Sequence, residues 1–303
     1  MPNRDPAPAA PACPAGTRPG SARRAAVKRL AVLGSPIGAA LSPVLHRAAY
    51  AELGLPWTYA AVDCDAERLP AFLAGLDDTW AGLSLTMPLK RVAAPLLDEV
   101  SAVAADLGCV NTVIVRDGRL IGANTDVHGM VSALREAGAD RPDSVSVLGC
   151  GATACTALAA ARELGATRVT AVVRDELRTG PLRAAADALG VELRVLPWTR
   201  LSAALAADAV VATLPPRALD LSAPVWPSGP GVFLDVAYQS GPGAAAAGAQ
   251  AAGRRIASGL TMLVHQAALQ VELQTGVPTA PLEAIRRAAE AHSQQVAPPR
   301  GAA

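Results

Sequence analysis

Short apolar runs, most of them stopping at a glycine or a polar residue, alternate with stretches of helical spacing along most of this chain. Leu30–Gly34 is one such run, and Ser42-Pro43 opens a helix behind it, with Ser42 as N-cap and Pro43 at the first helical position. Leu45, Ala48, Ala49 and Leu53 follow at helical spacing and Gly54 closes the helix. Trp57–Val62 and Gly82–Leu85 read as further strands, with a helix over Leu69–Leu76 between them. The segment from Pro88 to Ala105 reads as mostly helical. Asn111–Val115 and Leu120–Gly122 flank Asp117-Gly118, which is a hairpin signal. Such alternation cannot make a helical bundle or a sandwich; it predicts an α/β layer with a largely parallel sheet.

A second series begins at Ser144. The Val-rich strand Ser144–Leu148 runs into Gly149-Cys150-Gly151-Ala152-Thr153-Ala154, and an Ala-rich helix follows over Thr156–Leu164. This is G-x-G-x-x-A between strand and helix. Glycines allow a tight turn and a close backbone approach, and the helix N-terminus offers free N–H groups to a pyrophosphate. The next strand, Arg168–Val173, ends in Arg174-Asp175, where a ribose would be read. Arg174, with Arg178 nearby, favours a 2′-phosphate and so NADP, whereas Asp175 favours a free 2′-hydroxyl and NAD. Strands at Leu193–Leu196, Ala209–Leu214, Val232–Tyr238 and Arg254–Ala257 continue the series, with a short helix over Leu201–Ala206. A long helix carries Met262, Leu263, Gln266, Leu269 and Val271 to Thr275, and Leu282–Ala291 forms the last one.

Of the 27 lysines and arginines, only Lys28 and Lys90 are lysines. An Arg guanidinium does not release its proton in a protein, whereas a Lys ammonium can. Lys90 therefore marks a place where a transferable proton is wanted. Read as a residue in the first turn of a helix opened by Pro88, it would feel the positive helix end and have its pKa lowered. Asn is equally scarce, and two of the three, Asn111 and Asn124, lie close together after strands. Asp126 follows, either as part of an N-cap with Thr125 or as a carboxylate that holds the Lys90 amine.

The chain has 303 residues, 51% of them hydrophobic, and a net charge of +1, so there is apolar content for two cores and no basic footprint for nucleic acid or anionic lipid. No apolar run is long enough to span a bilayer. Residues 1–26 are rich in Pro, Ala and Gly and read as a disordered leader. The five cysteines (Cys13, Cys64, Cys109, Cys150 and Cys155) show neither CxxC nor metal spacing, and their odd number argues for thiols in a reducing cytoplasm. The four histidines form no HExxH-type cluster, so no metal is expected.

Taken together, these segments resemble the shikimate dehydrogenase family over nearly all of Leu30 to Ala291. Gly34-Ser35-Pro36-Ile37 through Ser42-Pro43-Val44-Leu45-His46 resembles the first substrate-binding motif. Leu85-Thr86-Met87-Pro88-Leu89-Lys90 resembles the segment with the catalytic lysine, and Val110-Asn111-Thr112 and Asn124-Thr125-Asp126 resemble the segments that bind ring hydroxyls. Gly149 to Ala154 resembles the phosphate loop, and Arg174 the 2′-phosphate reader. Asp235–Tyr238 and Gly259–Gln266 resemble segments lining the nicotinamide and substrate.

The resemblance implies a substrate domain over 27–126 completed by 262–295, a Rossmann-like NADP domain over 127–261, and a disordered tail over 296–303. It implies Lys90 and Asp126 as the catalytic pair, and Ser42, Thr86, Asn111, Asp126, Tyr238 and Gln266 as substrate ligands. Gly149, Gly151, Ala152, Thr153, Ala154, Arg174, Thr213, Val236, Gly259 and Met262 would hold the cofactor. The implied reaction is the reversible NADP-dependent reduction of 3-dehydroshikimate to shikimate, in the aromatic amino-acid pathway, by a monomer or homodimer.

Four positions depart from the family pattern. Ala39-Ala40 stands where His-Ser is usual, so one of two carboxylate-gripping serines is missing. Ser84 replaces an Asn, Val173-Arg174-Asp175 replaces Asn-Arg-Thr, and Ser240 replaces a Pro. These leave two alternatives: a paralogous dehydrogenase for quinate or an amino-substituted analogue, with NADP or NAD, and a ligand-binding sensor without turnover. Retention of Lys90 and Asp126 argues against the sensor.

Overall fold

The computed structural model describes residues 27–222, 224–238 and 243–296. The leader, residues 297–303 and Ser240 lie outside the described residues.

The first sheet is built from β1 (Arg29–Gly34), β2 (Thr58–Asp63), β3 (Trp80–Leu85), β4 (Glu99–Val100), β5 (Thr112–Arg116) and β6 (Arg119–Ala123). Their order is β2-β1-β3-β5-β6-β4. β1 pairs in parallel with β2 and β3, while β5 runs antiparallel to both β3 and β6. The hairpin between β5 and β6 turns at Asp117 and Gly118, both at positive φ (52° and 75°), as the Asp-Gly pair predicts.

The second sheet holds β7 (Ser144–Leu148), β8 (Arg168–Val173), β9 (Leu193–Pro197), β10 (Ala209–Ala212), β11 (Val232–Asp235) and β12 (Arg255–Ser258). Its order, β12-β11-β10-β7-β8-β9, is parallel throughout. The strand order reverses between β7 and β10, which opens a crevice beyond their C-terminal ends.

Among the described residues ten α-helices cover the sheets: α1 (Ser42–Glu52), α2 (Leu69–Ala74), α3 (Ala102–Leu107), α4 (Asp126–Glu136), α5 (Ala152–Glu163), α6 (Gly180–Leu189), α7 (Leu201–Ala204), α8 (Ala244–Ala251), α9 (Gly259–Thr275) and α10 (Leu282–Val296). Helix α9 follows β12 out of the second sheet and packs on β3 and β5 of the first, with α1 and α10 beside it. Two of four apolar clusters belong to each sheet, and Val264, Ala267, Ala268 and Val271 of α9 are buried in one of the first sheet's.

Three expectations need correction. Pro88 does not open an α-helix. Leu89–Arg91 and Ala94–Leu96 are separate 3-10 turns, because Pro95 has no N–H to continue a helix; Leu89 and Ala93 pin the segment into the core. Ser42 is the first residue of α1 rather than its N-cap; that position belongs to Leu41, with no side-chain cap. The cap of α4 comes from neither Thr125 nor Asp126. The Asn124 Oδ1 accepts from the N–H groups of Asp126 (3.0 Å) and Val127 (3.4 Å), which leaves the Asp126 carboxylate free for other partners.

Candidate active site

Lys90 is the middle residue of the first 3-10 turn, so no helix end stands behind it. The turn is anchored by the Val110 N–H, which donates to the Lys90 carbonyl at 2.8 Å. The Lys90 Nζ then lies 2.6 Å from the Asp126 Oδ2, with the amine 20% and the carboxylate 8% exposed. A direct carboxylate contact, not a helix dipole, is what surrounds this amine.

Asp126 is held from its other side. The Asn111 Nδ2 donates to the Asp126 Oδ1 (2.8 Å) and the Thr125 Oγ1 (3.0 Å), while the Asn111 Oδ1 accepts from the Thr125 N–H (2.8 Å) and the Thr112 hydroxyl (2.7 Å). The Thr125 N–H has no acceptor capacity, so it fixes which end of the Asn111 amide faces Asp126. Asn111, Thr112 and Thr125 are all buried.

Gln266 enters from α9, with its Oε1 3.4 Å from the Asn111 Nδ2. This depends on the close packing of α4 on α9. A Cβ on Gly129 of α4 would lie 2.4 Å from the Met262 carbonyl oxygen and 2.9 Å from the Gln266 Cβ, so any side chain there would push the helices apart.

These groups line a cavity of about 270 Å³ between the two sheets. Ser42, Thr86, Lys90, Asn111, Asp126, Tyr238 and Gln266 all reach it, and so do Thr153, Val236, Gly259 and Met262 from the side of the second sheet. Ala39 and Ala40 face it as well, and put no side-chain hydroxyl there. Ser84 and Gln270 also line it, and neither stands out as a ligand in the sequence. Gln270 does carry a signal: it lies four residues beyond Gln266, on the same face of one helix.

Gly149, Gly151, Ala152, Ala154, Thr213 and Arg174 lie outside this cavity, at the crevice of the second sheet. Gly149 has φ +116° and sits against Thr213: a Cβ there would meet the Thr213 Oγ1 at 2.7 Å. Thr213 is itself bonded back to Leu148 through its N–H (3.0 Å) and hydroxyl (2.9 Å). Gly151 opens to empty space and is the N-cap residue of α5, whose N-terminus no side chain caps. Ala154 differs from the others: its side chain is fully buried and its N–H already donates to the Gly151 carbonyl at 3.1 Å, so it builds the loop from behind.

Arg174 leaves the end of β8 with its guanidinium 6.0 Å from the centre of the Trp198 ring. Asp175 is turned elsewhere: its Oδ1 accepts from the Leu177 N–H at 3.0 Å and caps the short turn Glu176–Thr179. Among the described residues there is no group of His, Cys, Asp and Glu placed to hold a metal, and no helix is long and apolar enough to cross a membrane.

Known shikimate dehydrogenases are similar to this chain in sequence and fold. Residues 32–113 match the shikimate dehydrogenase substrate binding domain, and residues 259–290 match the shikimate 5′-dehydrogenase C-terminal domain. A shikimate dehydrogenase (NADP(+)) of Thermus thermophilus is 37% identical over 265 residues, covering 86% of this chain and 98% of its own length. The shikimate dehydrogenase of Mycobacterium tuberculosis superposes with a TM-score of 0.78 at 38% identity, over 87% of this chain and 99% of that one. The Thermus thermophilus shikimate 5-dehydrogenase crystallised with NADP(H) and shikimate superposes with a TM-score of 0.75 at 32% identity, over 87% and 99%. Identity at this level over nearly the whole of each relative is decisive: the chain belongs to the shikimate dehydrogenase family.

Proposed function

We propose that the chain is an NADP-dependent shikimate dehydrogenase, reducing 3-dehydroshikimate reversibly to shikimate in aromatic amino-acid biosynthesis. One observation carries this reading: the 2.6 Å contact between the Lys90 Nζ and the Asp126 Oδ2 at the wall of a cavity that elements of both sheets line. Segments 27–126 and 262–295 act as the substrate domain, and 127–261 as the cofactor domain. The four free thiols among the described residues suit a reducing cytoplasm.

The residues present fit the dinucleotide. The uncapped N-terminus of α5 behind Gly149 and Gly151 suits a pyrophosphate. Arg174 suits a 2′-phosphate, and the Asp175 Oδ1 is already engaged by the Leu177 N–H, which favours NADP over NAD. Thr213, Val236, Gly259 and Met262 would line the rest of its path. When bound, NADPH supplies the hydride.

The chain's own groups handle the proton and the alignment. Lys90 gives a proton from its Nζ to the carbonyl oxygen as negative charge develops there, and takes it back in the reverse direction. Asp126 keeps the amine aimed, and accepts from a ring hydroxyl beside it. Asn111 holds that carboxylate in one orientation, so no reorganisation accompanies the transfer. Ser42, Thr86, Tyr238 and Gln266 hold the ring.

A matrix of shikimate and quinate against NADP and NAD tests the reading. It predicts the highest kcat/KM for shikimate with NADP. A higher value for quinate, or for NAD, would replace it with the paralogue.

A further inference from the structure

Behind the substrate cavity lies a buried chain of polar groups that the proposed reaction does not use. Ser84 replaces the Asn usual in the family, and its hydroxyl touches two partners. The Tyr59 Oη lies 2.6 Å from the Ser84 Oγ, and the Ser84 Oγ lies 3.0 Å from the Gln270 Oε1. The direction of each proton along this chain can be derived.

Gln270 comes first. Its Nε2 contacts the Asn111 backbone carbonyl (3.2 Å) and the Thr112 Oγ1 (2.9 Å). A backbone carbonyl can only accept, so the amide nitrogen must face it and the Oε1 must face His46 and Ser84. His46 is fully buried and stacked on Tyr59, with ring centroids 4.1 Å apart. Burial lowers its pKa to about 4, against a hydrogen bond to Gln270 that raises it, so the ring is neutral at pH 7. Its Nε2 lies 3.1 Å from the Gln270 Oε1 and its Nδ1 3.2 Å from the Tyr50 hydroxyl. The Oε1 can only accept, so the proton sits on Nε2 and Tyr50 donates to Nδ1.

The same oxygen accepts from Ser84. A serine hydroxyl has one proton, and that of Ser84 is committed to Gln270. The Tyr59 hydroxyl must then donate to Ser84. What Ser84 has left for the cavity it lines is a lone pair.

We propose that Ser84 offers the substrate a hydrogen-bond acceptor only, which selects a ring hydroxyl at that point and excludes a carboxylate, with Gln270 as the positioning residue that fixes this sense. The proposal rests on the shikimate reading above. An amide at this position could donate as well as accept; this hydroxyl cannot. The ring carboxylate therefore lies against the donors elsewhere, such as Thr86 and Tyr238.

The test pairs the Ser84→Ala variant with single-deoxy analogues of shikimate, each lacking one ring hydroxyl, and measures dissociation constants by calorimetry. Wild type should bind shikimate about 10-fold more tightly than Ser84→Ala does, the size of one neutral hydrogen bond with its partner left unpaired. For one deoxy analogue the two proteins should bind equally, because the hydroxyl that Ser84 meets is gone. In steady-state assays the loss should fall on KM for shikimate, since this contact is common to ground and transition states. Should Ser84→Ala unfold, Tyr59→Phe/Ser84→Ala removes donor and acceptor together and takes the same measurement. Equal losses for every analogue, or no loss for shikimate, would overturn the proposal. A wild type that turns over shikimate yet shows this result loses only the inference; one that fails to bind shikimate loses the functional reading too.

Discussion

The two sides of the cleft are built from different material. On the Lys90 side the polar atoms are side-chain atoms, buried and bonded to one another: Asn111 alone contacts Thr112, Thr125, Asp126 and Gln266. On the Gly149 side the polar atoms are backbone N–H groups at an uncapped helix end, and the Arg174 guanidinium is exposed beside Trp198. A buried network is rigid because each unpaired member would cost free energy, so it suits chemistry that needs fixed atoms. A backbone cradle with an exposed cation suits a ligand that must enter and leave. The first side should respond to substitution in kcat and stability, the second in cofactor affinity.

The largest effect is expected on the Lys90 side. Lys90→Ala and Lys90→Arg should each lower kcat at least ~100-fold, a usual size for general acid–base catalysis. Arg keeps the charge without a releasable proton, so steady-state kinetics showing near-normal turnover in Lys90→Arg would leave only an electrostatic role.

The second effect is on stability. His46 stays neutral in the folded chain down to about pH 4, whereas an unfolded chain would protonate it near 6.5. Below pH 6.5 the unfolded state therefore binds more protons at His46, so this residue's contribution to stability falls as pH drops from about 6.5 towards 4 and levels off beneath that. The full fall is on the order of 3 kcal/mol, because a tenfold difference in proton affinity between the two states is worth about 1.4 kcal/mol. Urea unfolding at pH 7 and pH 5 reads about 2 kcal/mol of it; a loss as large in a His46→Gln variant would assign it to other groups.

These two expectations differ in how readable they are from sequence. Lys90 stands out because the chain is otherwise almost free of lysine. His46, Tyr59 and Gln270 do not, because they are ordinary residue types 13, 211 and 224 positions apart, joined only by the packing of α1, β2 and α9. The same divide runs through the fold. Strands show up as apolar runs, and the G-x-G-x-x-A turn follows from its own spacing. Around Lys90 the sequence points to a helix, since Pro88 suits a first turn, but Pro95 breaks the pattern and core contacts of Leu89 and Ala93 set two 3-10 turns instead. Helix α8 gives little sign, being composed almost wholly of Ala, whereas α6 carries an apolar stripe of Leu182, Ala185, Ala186 and Leu189 behind the breaker pair Gly180-Pro181. The Asn124 cap is hidden by two equally good candidates beside it.

The cofactor side supplies the third test. Arg174→Ala should weaken NADP by about 1.5–3 kcal/mol, the range for a hydrogen bond to a charged group, and towards the lower end because Arg174 is exposed. NAD should be nearly unaffected. Fluorescence titration with both dinucleotides reads this directly, and equal losses would make Asp175 the residue that sets the preference.

The smallest effect concerns Ala40. Restoring a hydroxyl as Ala40→Ser adds at most one donor for a ring carboxylate, so KM for shikimate should fall by up to about 10-fold with kcat unchanged. An unchanged or raised KM, with another substrate turned over well, would mean that this end of the cavity was shaped for a different ligand.

The division of labour between the two sides is tested most directly by running Lys90→Arg and Arg174→Ala in one assay, with shikimate and NADP varied together. Lys90→Arg should lose at least ~100-fold in kcat and hold its KM for NADP within about 3-fold, while Arg174→Ala should keep kcat and raise that KM about 10-fold or more. If Lys90→Arg keeps its kcat, or if both variants lose kcat and cofactor affinity alike, the two sides do not do separate work.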